Sequence, residues 1–451
     1  MTRIAKRLSG RLLLASVAVV ALVGARGVAW AQEAQDSSNA ALMNRIEKLE
    51  TELSNLKALL QKNQARADAA SQKAEEAADT ATMVASKVEA MPSDGGSFSG
   101  GGIFNYTAGD YHFHLGGYAG SNLEVVDNGE NSTFADVNFN PIFLIGYKDW
   151  LQFESELEFE TRGDEETKVE LEYAHADLFL NDYMTLVIGK TLSPVGIFQE
   201  RLHPKWINKS IDRPIGFDGI VEPKTEVGVQ LRGGVPLGES AKVTYTFMIG
   251  NGPQIEDNGI PILEGFGEDN NDNKALSGRF SVFPMPWLEV GASGMIAKVN
   301  GVEGMGGPAP GNADFMIWGT HAIVTYKDID LRFEYLNSVR DPILSAAEPS
   351  EAVALLPKED LEAWYVQGAY KLAGLTDEPL LRAVELVGRF SELNVNGSAH
   401  FADDAQQRWS FNVNYLFAAN VIAKAGYELR DFDNPLLGNE NRFLAQFAYG
   451  F

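Results

Sequence analysis

Cysteine is absent from all 451 residues, which rules out disulfides, thiolate metal sites and cysteine nucleophiles together. Histidine is scarce at six, and His112 and His114, which share one face of a strand, lack the further partners a metal site needs. Beyond the amino terminus no stretch reaches eighteen consecutive apolar residues, so a membrane-spanning helix is not expected. Positive charge is also short: 37 Lys and Arg face 62 Asp and Glu, for a net charge of −25. A chain so acidic would be repelled by a polyanion, which disfavours broad nucleic-acid binding. The G-x-S-x-G, P-loop and H-E-x-x-H spacings are missing, so neither an enzyme nor a cofactor is expected. Asp269-Asn270-Asn271-Asp272-Asn273 offers oxygen ligands without the glycine and distal Glu of an EF-hand loop, and reads as a polar surface loop.

The first 31 residues read as a secretory signal peptide. Arg3, Lys6, Arg7 and Arg11 precede the apolar run Leu12 to Val23, and Ala29-Trp30-Ala31 supplies a small-x-small cleavage site. Without that segment's five cations the net charge falls to −30.

Residues 32–91 are dominated by a heptad seam. Leu42, Ile46, Leu49, Leu53, Leu56 and Leu60 lead through Asn63 to Ala67, Ala70, Ala74, Ala77, Ala81, Val84 and Val88, at alternating spacings of four and three. That period predicts an oligomeric coiled coil with Asn63 fixing register. The rod would be roughly 70 Å long. Residues 92–109, rich in Gly and Ser from Pro92 onward, predict a flexible linker.

From residue 110 to 451 the period becomes two. Leu151, Phe153, Leu157 and Phe159 alternate with Gln152, Glu154, Glu156, Glu158 and Glu160, and Trp409, Phe411, Val413 and Tyr415 with Arg408, Ser410, Asn412 and Asn414. One face wants hydrocarbon and the other water. Sixteen such segments begin near residues 111, 134, 150, 168, 184, 224, 240, 273, 287, 313, 328, 361, 382, 406, 419 and 440. Their connections alternate between tight turns, such as Lys148-Asp149 and Lys327-Asp328, and long loops, such as 192–223 and 252–272. This predicts an all-β fold, a 16-stranded antiparallel transmembrane barrel, with Trp150, Tyr183, Trp287, Tyr326 and Phe417 as an aromatic girdle beside the turns.

Two segments carry a resemblance. Arg442 to Phe451, an aromatic strand ending in Phe, resembles the assembly signal of Gram-negative outer-membrane barrels. Ile188-Gly189-Lys190-Thr191-Leu192-Ser193-Pro194-Val195-Gly196 and the loop behind it resemble the G-x-x-x-x-P-x-G segment of phosphate-selective porins of the O/P type. The resemblance implies a homotrimer in the outer membrane that passes small solutes, anions such as phosphate among them. The expected partners are outer-membrane lipid, lipopolysaccharide and the barrel-assembly machinery, with the coiled coil in the periplasm.

The alternation assigns an acidic inner face to Glu154, Glu156, Glu158, Glu160, Glu170 and Glu172, and a basic one to Arg408, Lys424, Arg430 and Arg442. The loop from Leu192 to Pro223 is the expected constriction, because unbroken loops of this length are usually functional. It holds Arg201, His203, Lys205, Lys209 and Arg213 among Glu200, Asp212, Asp218 and Glu222, and Lys190 and Lys224 flank it. Attraction of anions and structural salt bridging are both open for these cations. Trp206, Ile207, Ile211, Ile215 and Phe217 suggest packing against the wall or a neighbouring subunit. Besides a diffusion porin, two readings stand: a siderophore or other specific-ligand uptake barrel, and an envelope tether acting through the coiled coil.

Overall fold

The computed structural model describes Lys57 and residues 104–126, 132–161, 167–255, 261–264, 271–305, 308–346, 351–398 and 400–451. The signal peptide and the first part of the linker lie outside these residues, as do Asp269 and Asn270; of the coiled-coil segment only Lys57, which is helical, is described.

Sixteen antiparallel strands close on themselves: β1 (Tyr111–Val126), β2 (Thr133–Tyr147), β3 (Leu151–Thr161), β4 (Lys168–Asn181), β5 (Met184–Leu192), β6 (Thr225–Leu237), β7 (Ala241–Gly250), β8 (Ala275–Met285), β9 (Leu288–Asn300), β10 (Asn312–Tyr326), β11 (Ile329–Arg340), β12 (Glu359–Lys371), β13 (Val384–Asn396), β14 (Gln406–Ala418), β15 (Val421–Phe432) and β16 (Asn439–Gly450). Each starts within two residues of the position read from the alternation. The seam pairs β1 with β16, Tyr118 opposite Gly450 and Val126 opposite Arg442. Phe451 finishes it by exchanging backbone hydrogen bonds with Gly117 at 2.8 and 3.0 Å. Closure gives each of the sixteen strands a partner on both sides, the arrangement a sheet would need in hydrocarbon.

One boundary differs from the sequence reading. Phe104–Ala108, assigned to the linker, forms a short strand paired with Tyr111–Leu115, and it carries the β1 edge on past Phe451. Phe104 and Phe113 pack edge-on at 5.6 Å, so aromatic contact holds this strand where the Gly-rich run ends.

The alternation works as a sorting device. Along β14, Arg408, Ser410, Asn412 and Asn414 are buried inside, while Trp409, Phe411 and Val413 are exposed outside. Trp150, Tyr183, Trp287, Tyr326 and Phe417 are likewise exposed, all at the end closed by tight turns. At that end only 372–383 is longer, with a turn of 3₁₀ helix and a four-residue helix at Pro379–Arg382.

Two departures from strict alternation matter for the interior. Between Glu156 and Leu157 the register with β4 shifts, because Glu156 faces Tyr173 and Leu157 faces Leu171. Glu172 is therefore an extra residue, and the inward phase passes from Glu170 and Glu172 to Tyr173, His175 and Asp177. A second shift between Gly120 and Asn122 accompanies Asp136, whose φ of 49° a short polar side chain tolerates.

Candidate functional site: the inward loop and its cavities

The 32 residues between β5 and β6 lie inside the barrel. Their entry follows from the Pro194-Val195-Gly196 corner: Gly196 has φ of 81°, and a Cβ there would sit 2.2 Å from Glu222 Oε1. Arg279 of β8 fastens the corner, donating to Gly196 O at 2.7 Å and pairing with Glu200. The chain then makes one π-helical turn, Phe198–Leu202.

An apolar core fixes one side of the loop. Val195, Ile197, Phe198, Ile215, Phe217 and Val221 are buried against inward residues of β9–β13, among them Phe315, Ile317, Leu336, Leu361, Tyr365 and Leu393. Phe198, Phe217 and Tyr365 meet edge-on with centroids 5.0 to 6.4 Å apart. At Gly216, φ of 83° and an Ala363 Cβ only 2.6 Å from where a side chain would begin allow no larger residue. Where the loop packs on this arc both faces of the wall are apolar, as Phe315 and Ile317 inside and Met316 and Trp318 outside illustrate, while Glu289, His321, Glu334 and Arg389 put buried polar groups on the same inner face beyond that patch. The loop thus packs on its own barrel, and the water-facing interior is confined to the remaining arc.

Polar contacts hold the far side. Lys424 of β15, buried, donates to Lys205 O at 2.6 Å, to Ser210 O at 3.4 Å and to Asn208 O. Asn412 donates to Ser210 Oγ at 2.9 Å and Asn414 to Lys209 O at 2.8 Å. The Asp212 carboxylate sits among Arg408, Arg430 and Arg442, at 3.8 Å and 3.7 Å from the first two and in direct contact with the third. Arg389 donates to Asp212 O at 2.7 Å. Glu428 and Glu124 share this load, with Arg442 reaching them at 2.8 and 2.7 Å. Four consecutive strands, β13 to β16, each contribute one arginine. Arg389 of the wall and Asp212 of the loop join Arg408, Lys424, Arg430 and Arg442 in one set.

The loop cations are largely engaged. Arg201 makes a two-pronged bond to Glu289 at 2.8 and 2.9 Å. Burial opposes its charge, but the Glu289 bonds outweigh that and raise its pKa above the usual arginine value. Lys209 pairs with Glu385, Lys224 with Glu264 at 2.7 Å, and Arg213 donates to Gln199 Oε1 at 3.0 Å. Lys190 donates to Leu171 O at 2.8 Å. Lys205 donates at 2.6 Å to the carbonyl of Asp136, which the β2 irregularity turns inward; burial lowers its pKa. Of the two readings left open for these groups, the structure shows the salt bridging and hydrogen bonding.

Two cavities flank the loop. On the side of the long loops, about 530 Å³ is lined by Glu158, Glu160, Glu170 and Glu172 on one wall, Arg408 and Arg430 on another, and Lys190, Lys205, Arg213 and Lys224 between. On the side of the turns, about 210 Å³ is lined by Glu154, Glu156, Tyr173, His175, Glu200 and Arg232. His203 borders both. Its Nε2 lies 3.2 Å from Tyr118 Oη, which donates to Glu156 Oε1 at 2.7 Å, while Asn140 donates to the same oxygen at 3.0 Å. Burial, and next the positive Arg213, push the His203 pKa down to about 3, so the ring is neutral at ordinary pH. Tyr118, His203 and Glu156 form the partition between the cavities. Of these, Tyr118 went unread in the sequence, although it shares the inward phase of β1 with Asn122.

Neither protein-family models nor curated protein sequences match this chain. Among solved structures it is similar to a loop L8 deletion mutant of OmpT, an outer membrane protein of Vibrio cholerae, with a TM-score of 0.49 and 15% identity over 76% of this chain and 100% of that chain. The outer membrane channel DcaP of Acinetobacter baumannii gives 0.48 and 12% over 76% and 99%. An anion-selective porin from Comamonas acidovorans gives 0.47 and 9% over 76% and 100%.

Proposed function

We propose that this protein is an outer-membrane porin: a passive channel for small hydrophilic solutes, anions such as phosphate among them, that catalyses no reaction. The observation that carries the reading is the loop 193–224, which crosses the interior of a closed barrel yet leaves cavities of about 530 and 210 Å³ on its two sides, both with charged side chains in their walls. A structural barrel has no need of such space, whereas a channel needs a narrow, polar, charge-lined passage. The exposed outer apolar face and the aromatic residues beside the turns support a membrane setting.

Anion preference is supported by Lys190, Lys205, Arg213, Lys224, Arg408 and Arg430 around the larger cavity, and opposed there by Glu158, Glu160, Glu170 and Glu172 together with Asp136, Asp212, Asp218, Glu264 and Asp404. Charges of both signs across a low-dielectric enclosure set up a transverse field, which orients a solute by its dipole as well as selecting by net charge. The proposed assembly is a homotrimer, with the heptad seam in the periplasm and insertion through the barrel-assembly machinery. Sedimentation in mild detergent should give a discrete trimer. Proteoliposomes should swell in isotonic sugars at rates that fall with solute size; liposomes that do not swell in any of them would sink the channel reading. Specific-ligand uptake, which the two charged walls of the larger cavity favour as a second reading, would instead give saturable transport of one solute.

A further inference from the structure

Glu154 and His175 line the smaller cavity and, with Asp177 behind them, form a group of side chains that solute passage does not require. Glu154 on β3 stands directly opposite His175 on β4, and Asp177 lies two residues on along the same inward face. One oxygen of each carboxylate and one histidine nitrogen all fall within 4.8 Å of one another. His175 Nε2 is 3.6 Å from Asp177 Oδ1, too long for a hydrogen bond. It is close to the edge of a tetrahedron built from zinc bonds of about 2.0 to 2.2 Å, roughly 3.4 Å.

The state of these groups points to a missing partner. His175 is only 7% exposed, yet neither ring nitrogen makes a hydrogen bond, and Asp177 Oδ1 makes none either. Buried polar atoms are seldom left so, since each costs about 1 to 3 kcal/mol. The remaining carboxylate oxygens are occupied: Arg232 binds Asp177 Oδ2 at 2.7 Å, and Tyr173 donates to Glu154 Oε1 at 3.0 Å. Such outer contacts aim the other oxygen of each carboxylate, the support that metal ligands usually receive.

We propose that Glu154, His175 and Asp177 form a binding site for a divalent transition-metal cation of the zinc class, with a fourth position open to the cavity. An imidazole between two carboxylates suits zinc, nickel or copper better than calcium or magnesium, which take oxygen ligands throughout. The two carboxylates supply more negative charge than the single Arg232 offsets. The bulge at Glu172 creates the site, because it turns Tyr173, His175 and Asp177 inward on a strand whose first half presents Glu170 and Glu172.

The test is equilibrium dialysis of the untagged full chain in detergent against zinc chloride, with cobalt chloride as a spectroscopic stand-in. One zinc per chain is expected, with intense visible bands from a distorted tetrahedral cobalt complex. His175→Gln and Asp177→Asn should each weaken binding on the order of 100-fold, and Tyr173→Phe roughly 10-fold. Each variant's heat-modified electrophoretic mobility checks that its barrel is folded. Absence of stoichiometric zinc would overturn the proposal, as would binding that survives His175→Gln and vanishes when His112 and His114 are replaced.

Discussion

Replacing Lys424 with methionine should loosen the inward loop without unfolding the barrel. The substitution keeps the length and apolar stem of the side chain and removes the amino group that donates to the carbonyls of Lys205, Asn208 and Ser210. Each such hydrogen bond contributes about 0.5 to 1.5 kcal/mol net, and Asn208 and Ser210, whose carbonyls are left behind, are buried. The loop's other anchors persist, notably Arg389 on Asp212 O and Asn412 on Ser210 Oγ, so the local loss should stay near 2 to 3 kcal/mol. At 1.36 kcal/mol per tenfold, that raises local opening by roughly 30- to 160-fold. Amide hydrogen exchange on the full chain in detergent reads it: the amides of Ile207 and Asn208, both bonded to Pro204 O, should exchange faster by that factor. Amides of β15 paired with β16 should keep their protection. Unchanged exchange in the loop would refute the assignment of Lys424 as its anchor.

Arg201→Ala should strand Glu289, 6% exposed, beside His321 and cost about 3 kcal/mol, the low end of the range for a broken buried pair because the Arg201 side chain is 34% exposed; the midpoint of the heat-induced mobility shift reads it, and replacing both Arg201 and Glu289 with leucine should recover most of the loss. His203 gives a pH dependence: its pKa in the loop is about 3 against about 6.5 unfolded, so the opened loop takes up a proton first. Stability is then full above pH 6.5 and is lost as pH falls toward 3, by at most about 1.4 kcal/mol per unit. Loop exchange corrected for intrinsic pH effects should rise between pH 7 and 5 in the parent and not in His203→Gln; equal rises would contradict the account.

The barrel was largely legible in the sequence because strand alternation, turn length and outward aromatics are local signals. Every strand start fell within two residues for this reason. The long loop was legible by its length and its mixed charges. Its partners were not, since Lys209 with Glu385 and Arg442 with Asp212 are separated by 176 and 230 residues. Periodicity likewise failed at Glu172, where one extra residue reverses the inward phase. The reading that carried Glu170 and Glu172 inward thereby missed His175 and Asp177. The loop's apolar seat on β9–β13 was hidden too, because a stretch with Phe315 and Ile317 inward and Met316 and Trp318 outward shows no contrast to read.

The most direct test of the channel reading is single-channel recording in planar bilayers of the parent and of a variant in which residues 203–213 are replaced by a short Gly-Ser link. The account predicts ohmic steps in the parent and larger steps in the variant, with the reversal potential in a salt gradient moving as Lys205, Lys209, Asp212 and Arg213 leave. Absence of steps in the parent, or equal conductance in the two proteins, would contradict it.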